Sequence, residues 1–297
     1  MARNNAHHKG ANTVTWDLQW DDEVDVVCTD SGIAGLAGAI AAVDQGADVL
    51  VASSPTQAVE MSRRHGWFTV ENGDQQTMEY LAELAGDLDT TALPQSDDDL
   101  PIRPVPQPGG QAGRAVPPFY GSRLRDWAAR CIPSPTGYLY TRVGDWAIAA
   151  TDAVDGEAIE VVEIGSLQTG SGDVVGASQN WLDAEAHSYG LNILPVLGLQ
   201  RLVFGDGEVI GASFATGDGP LTVRARHGLL LCGKRHRPER SPRLSVAGDA
   251  ALRITLVGKA ASRFGRVELH TSDPVAGPFP GVLLGALTGQ AGHGGQH

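Results

Sequence analysis

The segment Asp30-Ser31-Gly32-Ile33-Ala34-Gly35 places a serine and two glycines between an apolar run, Val24 to Cys28, and a run of small residues, Leu36 to Gln45. That is the composition of a turn that cradles phosphate. Glycine lets backbone approach an anion closely, and the first turn of a helix offers unpaired N–H groups and the positive end of a dipole. Gly32 and Gly35 take the second and third places of Gly-x-Gly-x-x-Gly, while Asp30 stands in the first. A carboxylate facing a pyrophosphate adds repulsion of about 1 kcal/mol at ~4 Å in water, and several times that when partly buried. Asp is also a good N-cap for a helix starting near Ile33. The segment therefore reads two ways, as a dinucleotide loop or as a scaffold turn that no longer holds one. At the end of the next strand, Val49-Leu50-Val51-Ala52-Ser53-Ser54, an acidic side chain usually accepts both ribose hydroxyls. Ser53 can meet only one, with Ser54 beside it.

A second group, Arg123, Arg125, Tyr138, Tyr140 and Arg142, spans a helix and a following strand. Arginine suits a carboxylate ligand; the plainer reading is surface arginines and core tyrosines. Cys28, Cys131 and Cys232 are odd in number and far apart, which argues against a disulfide framework and supplies no metal-binding pair. His65, His187, His227 and His236 show no ligand spacing, so no metal site is expected. Trp127 and Trp146 read as packing residues. No nucleophile with a plausible base is visible: Ser31 lies in the wrong loop for a serine hydrolase.

These residues need elements to hold them. The strand from Val24, the small-residue helix ended by Gly46 and the strand Val49 to Ala52 form a βαβ unit, parallel and right-handed by default. Residues 75–87 predict an amphipathic helix. Residues 89–118 carry seven prolines and the triplet Asp97-Asp98-Asp99, which predicts a connector or surface excursion. Helices are expected at 122–131 and at 173–189, the latter ended by Gly190, with a strand at 161–164 between them. Strands follow at 191–196, 199–204, 209–215, 221–225 and 228–232, joined at Asp206-Gly207 and Asp218-Gly219 by strong hairpin signals. Later strands are expected at 253–257 and 266–270. The organisation reads as a flexible tail at 1–20 and a dinucleotide-binding domain from 21–88 and 155–235. Residues 89–154 form a Pro-rich excursion serving as a cap or substrate region, and 236–297 a β-rich segment with a flexible tail.

The 297 residues are 42% hydrophobic, enough for a sizeable core. Gly 38 and Pro 17 stay below low-complexity levels, which excludes disorder throughout. No apolar run approaches the ~20 residues of a membrane span, and the first twenty residues lack a secretory hydrophobic stretch, so a cytoplasmic protein is expected. The net charge is −13, yet residues 221–270 hold eleven of the 22 Lys and Arg against three acids. Basic residues without interleaved aromatics in an acidic chain argue against nucleic acid. A solvated face, or one turned to an anionic ligand or an acidic protein partner, remains.

The run DVVCTDSGIAGLAGAIAAVDQGADVLVAS resembles the N-terminal FAD-binding segment of the fumarate reductase, succinate dehydrogenase and ketosteroid dehydrogenase flavoprotein family. A second stretch, AEAHSYGLNILPVLGLQRLVFGDGEVIGASFATGDGPLTVRARHGLLLCG, is similar to that family's helix, adenine-side strand, hairpin and return strand. The resemblance implies an α/β fold, a Rossmann-like FAD/NAD(P)-binding core with a β-rich insert. It implies that Ser31, Gly32, Ala34 and Gly35 line the pyrophosphate next to Asp30, that Ser53 and Ser54 meet the ribose, and that Leu199 offers its backbone to the adenine. Gly233 falls in the Ala-Thr-Gly-Gly position, but within Cys232-Gly233-Lys234-Arg235. The family's Gly-Gly-Ser-Thr segment is absent from residues 55–75, and Ala247-Gly248-Asp249-Ala250 only superficially matches its C-terminal Gly-Asp turn. The implied activity is an FAD-dependent oxidoreductase acting on a small-molecule substrate, with catalytic residues unassigned. The alternative is a scaffold that has lost FAD and serves as a binding or assembly subunit; an NAD(P) enzyme is a third reading.

Overall fold

The sequence Ile33 to Asp44, IAGLAGAIAAVD, has no polar face until its last residue, and a helix that is apolar all round must be covered on all sides. A computed structural model describes residues 19–54, 74–85, 100–105, 122–132, 134–142, 149–152, 158–168, 173–232 and 251–272. In it this helix, α1, has all ten residues from Ile33 to Ala42 buried. A curled sheet and one further helix wrap around it. The strands are β1 (Asp22–Cys28), β2 (Val49–Ser53), β3 (Ile102–Pro104), β4 (Gly137–Tyr140), β5 (Ala149–Asp152) and β6 (Ala158–Gln168). The rest are β7 (Asn192–Pro195), β8 (Gly198–Gly205), β9 (Glu208–Thr216), β10 (Gly219–Cys232), β11 (Ala251–Gly258) and β12 (Phe264–Thr271). The other helices are α2 (Gln75–Ala85), α3 (Ser122–Cys131) and α4 (Val174–Ser188).

The fold is α/β. The strands run in the order β5-β6-β11-β12-β4-β10-β1-β2-β7, with β3 beside β12 and the hairpin partners β8 and β9 beside β10. β10, β1, β2 and β7 are mutually parallel neighbours. The expected Rossmann-like β1–α1–β2 unit is therefore present. Its strands are buried on both faces, which explains their continuous apolar sequences. Val26, Cys28, Val49, Val51, Leu230 and Cys232 face α1. Val27, Leu50, Ala52, Leu229 and Leu231 face the β8–β10 side.

The expected turns appear for the expected reasons. Asp206 and Gly207 both have positive φ, 50° and 83°, as a two-residue hairpin turn requires. Asp173 caps α4 by accepting the Gly176 N–H at 2.9 Å. Other details differ from the sequence reading. The strands expected at 221–225 and 228–232 are one strand, β10, carried past Arg226-His227 by Gly228 at φ +122°. There β10 exchanges its partner β9 for β4. The Pro-rich stretch is more than a connector: β3 pairs with β12, and the flanking Leu100 and Val105 are buried. Four exposed acid–base contacts tie β1 to β10, Glu23 with Arg224 and Arg226, and Asp25 with Arg226 and His227. Part of the basic 221–270 stretch is thus paired within the chain.

Alternation along β12 turns Val267 and Leu269 toward α1 and leaves Arg266, Glu268 and His270 on the opposite face. Glu268 is fully buried. Arg103 of β3 grips its carboxylate with two N–H groups at 2.6 and 3.1 Å, Arg266 adds another at 2.7 Å, and His270 lies 3.4 Å away. Burial alone would push this carboxyl up, but Arg266, His270 and Arg103 outweigh it and hold Glu268 well below the ordinary range. Breaking such a buried group costs about 3–5 kcal/mol. Because the folded pKa is depressed, the stabilisation is complete above the unfolded value of about 4.3 and is lost as pH falls through the folded one. Urea midpoints followed from pH 7 to 3 should therefore fall steeply for the wild type. Glu268→Gln should start lower at pH 7 and fall less. Equal pH slopes for the two proteins would contradict this account.

Candidate functional site

The turn between β1 and α1 emerges at the carboxyl ends of the parallel strands, with β10 on one side of β1 and β2 on the other. Open α/β sheets bind ligands outside these strand ends, where the connections diverge. Thr29, Asp30, Ser31 and Gly32 are half-buried there, so the turn does not point into a filled interior. Gly32 is the N-cap of α1, and no side chain caps the helix; the first helical bond runs from Leu36 N–H to the Gly32 carbonyl. Asp30 is thus not the N-cap. Its Oδ2 instead accepts the N–H of Gly32 at 2.8 Å, closing a small local ring. A carboxylate already holds one of the amides that the turn would turn to an anion.

Gly35 is required by packing. A Cβ placed on it would lie 1.7 Å from the Asp30 carbonyl oxygen and 3.4 Å from Cys232 Sγ. The turn therefore folds its backbone directly against the helix start. Ser31 Oγ donates to Ser53 Oγ at 2.8 Å, so the two serines meet across the strand ends. Ser54 follows, half-buried, at the same edge. The Ser53 carbonyl accepts from Val196 N–H at 2.9 Å, and Leu197 N–H bonds to the Ala215 carbonyl, which brings the β7–β8 corner to the end of β2. Leu199 lies just beyond that corner, paired with Phe214 of β9 and packed on the core below. Ala34 is buried in the first turn of α1. Gly233 lies outside the described residues, as do Lys234 and residues 55–73 and 247–250.

Two contributors escaped the sequence reading. Gln179 of α4 donates to the Ser31 carbonyl at 3.3 Å, and Thr29 Oγ1 accepts from Cys232 N–H at 3.1 Å. Both act across more than a hundred residues, and neither belongs to a local pattern. The thiols supply no nucleophile: burial pushes Cys28 up to about 12, and burial, Cys28 and Asp30 push Cys232 well above the ordinary thiol range. Among the described residues, no group of three His, Cys, Asp or Glu is arranged for a metal, and no helix is long and apolar enough to cross a membrane.

Of the Arg/Tyr group, the structure gathers Tyr138, Tyr140 and Arg142 on and after β4, while Arg125 is exposed on α3. The Arg123 side chain lies outside the described residues. Tyr140 donates to the His227 carbonyl at 2.6 Å, and burial raises its phenol to about 12.

No protein-family model matches this chain, and no curated protein does. Among solved structures it is similar to 3-ketosteroid-Δ4-(5α)-dehydrogenase from Rhodococcus jostii RHA1, at 21% identity and TM-score 0.31 over 74% of this chain and 47% of that one. A flavocytochrome c3 fumarate reductase is similar at 16% identity and TM-score 0.30, over 71% and 34%. The flavin-dependent brominase Bmp2 is similar at 11% and 0.29, over 83% and 56%. The chain spans about half or less of the length of the first two and a little over half of the third.

The geometry of Gly35 yields a direct test. Gly35→Ala must move backbone rather than a flexible side-chain end, so a loss of about 1–3 kcal/mol is expected in chemical denaturation. Gly217→Ala, with nothing within 4 Å of the new methyl, should stay within about 0.5 kcal/mol of wild type. Equal stabilities would show that the turn has slack.

Proposed function

We propose that this chain is an FAD-dependent oxidoreductase that acts on a small-molecule substrate. One observation carries the reading. The two sequence blocks that resemble the fumarate reductase and ketosteroid dehydrogenase group lie side by side in one sheet, with β10 against β1 and β7 against β2. Their shared edge holds the turn at Asp30–Gly35 and the Ser31–Ser53 hydroxyl pair.

In this reading residues 21–88 and 155–235 hold the nucleotide, and the substrate region is drawn from 89–154, a stretch whose strands β3, β4 and β5 belong to the sheet itself. Ser31, Gly32, Ala34 and Gly35 line the pyrophosphate, Ser53 and Ser54 bind the ribose, Leu199 presents backbone to the adenine, and Gly233 contributes from the position of the family's Ala-Thr-Gly-Gly motif. The bound flavin would supply hydride-transfer chemistry. Gln179 keeps the turn in place through the Ser31 carbonyl, and Ser53 exchanges its bond with Ser31 for one to the ribose. Asp30 must release Gly32 N–H before a phosphate oxygen can take it.

That last requirement favours a second reading, in which the same scaffold has lost its cofactor and acts as a binding or assembly subunit. The Asp30 carboxylate, 2.8 Å from Gly32 N, then serves as an internal substitute for the phosphate. Titration with FAD followed by gel filtration and absorbance separates the two. The enzyme reading expects retained flavin colour and, for Asp30→Gly, at least about fivefold tighter binding, from the removal of 1 kcal/mol or more of repulsion. Asp30→Asn, which keeps an acceptor without the charge, should give most of that gain. Wild type and Asp30→Gly that both stay colourless at saturating FAD would overturn the FAD reading.

A further inference from the structure

Among the described residues four large apolar side chains stand in solvent, and three of them, Tyr189, Ile193 and Leu197, fall within one stretch at 42%, 41% and 58% exposure. That stretch joins the end of α4 to β7, the last strand in the sheet order. Side chains alternate along a strand. Leu194 and Val196 turn into the core beside β8–β10, so Ile193 and the exposed Pro195 line up on the other side, with Leu197 just beyond them. Tyr189 donates its hydroxyl to Asp44 at 2.5 Å, which lays its ring beside the end of α1. Single exposed apolar side chains are ordinary, whereas a row of them along one edge marks a contact surface.

The surroundings of this row are negative. α1, β2, α4 and β7 fall within residues 10–62 and 143–200, which contain no Lys or Arg. The carboxyl ends of α1 and α4 meet where Tyr189 bonds Asp44. A helix carboxyl end favours cations. Here the last turns hold Asp44 and Glu185 instead, with Asp48 exposed just before β2 and His187 as the one basic group in either last turn. The edge is also a poor template for a further strand. Val196 N–H bonds inward to the Ser53 carbonyl, so Ile193 and Pro195 turn their backbone outward. Pro195 has no N–H to offer, and the Leu197 N–H is taken by the Ala215 carbonyl. A helix satisfies its own backbone and needs nothing from such an edge.

We propose that this edge docks a Lys- and Arg-rich amphipathic helix of a protein partner. The apolar side of that helix lies on Tyr189, Ile193 and Leu197, and its cations meet Asp44, Asp48, Glu185 and the carboxyl ends of α1 and α4. Charge sets the sign of the partner and steers its approach, while the apolar row supplies the desolvated centre of the contact. The acidic corner lies at the start of β7, and the Ser31–Ser53 pair lies at the other end, where Ser53 is level with Pro195. The docking surface therefore stands or falls independently of FAD.

The test uses the full chain and a fluorescein-labelled peptide of about 18 residues, built from Leu and Lys so that one helical face is apolar. Anisotropy should show saturable binding with a Kd on the order of 10 μM, weakened about tenfold when NaCl rises from about 50 to about 500 mM. A peptide of the same composition, reordered so that no apolar face forms, should bind at least about tenfold more weakly. Ile193→Glu should weaken binding at least about tenfold and Tyr189→Ser about fivefold, whereas Met78→Ser, at the exposed apolar residue of α2, should leave it unchanged. Hydrogen exchange in the complex should slow across residues 185–197. Equal binding of the two peptides to the wild type, a comparison that needs no variant, would overturn the proposal, as would protection confined to other residues. So would absence of saturable binding, or a dimer that Ile193→Glu dissociates, which would show that a second copy holds the edge.

Discussion

The burial of α1 on every side is the constraint from which the rest of this architecture follows. A helix covered by a curled sheet and by α4 can carry only small or apolar residues at its contacts, and those contacts set how closely each strand approaches. Gly38 leaves room for Leu230, where a Cβ would lie 2.3 Å from its side chain, and Gly35 admits the Asp30 carbonyl and Cys232. These two close approaches lock β10 and the β1–α1 turn to the same helical face. The strand end, the turn and the helix N-terminus are consequently fixed relative to one another before any ligand arrives. The same close packing keeps the thiols of Cys28 and Cys232 protonated, so the chemistry of this region depends on backbone amides and hydroxyls.

That fixed frame turns Asp30 into a local competitor. With no side-chain cap on α1, the positive end of the helix attracts negative charge, and the nearest negative charge belongs to the chain itself. The carboxylate satisfies Gly32 at little conformational cost because the two residues are separated only by Ser31. The Ser31–Ser53 bond follows the same logic: each hydroxyl has a partner in the absence of ligand and can exchange it. The turn is stable alone, and any phosphate must outbid bonds that are already made.

Much of this was legible in the sequence, and the unread parts share a cause. The apolar run of β1, the small residues of α1 with Gly46 behind them, and the Asp206-Gly207 turn each carry a local signal that admits few structures. The continuity of β10 was hidden because Arg226 and His227 interrupt an apolar pattern; they are exposed where β10 passes from β9 to β4, beside Glu23 and Asp25 of β1, where polarity is compatible with a strand. β3 was hidden by prolines, which an edge pairing of three residues tolerates. The bond from Gln179 to the Ser31 carbonyl joins residues 148 positions apart, and no local pattern announces it. Asp30 was visible as an anomaly in a glycine position, and its nearness to the turn amide was predictable in kind, although the amide it chose was not.

β4 has a consequence of its own. Its four residues pair with β10 on one side and with β12 on the other. Among the described residues, this short strand is, apart from packing on α1, what joins the β10–β1–β2–β7 part of the sheet to the β12–β11–β6–β5 part. Cooperative units in proteins tend to divide where few hydrogen bonds cross. The described part of the sheet thus divides into two halves that share one helix, and the seam between them runs along Tyr138 to Tyr140.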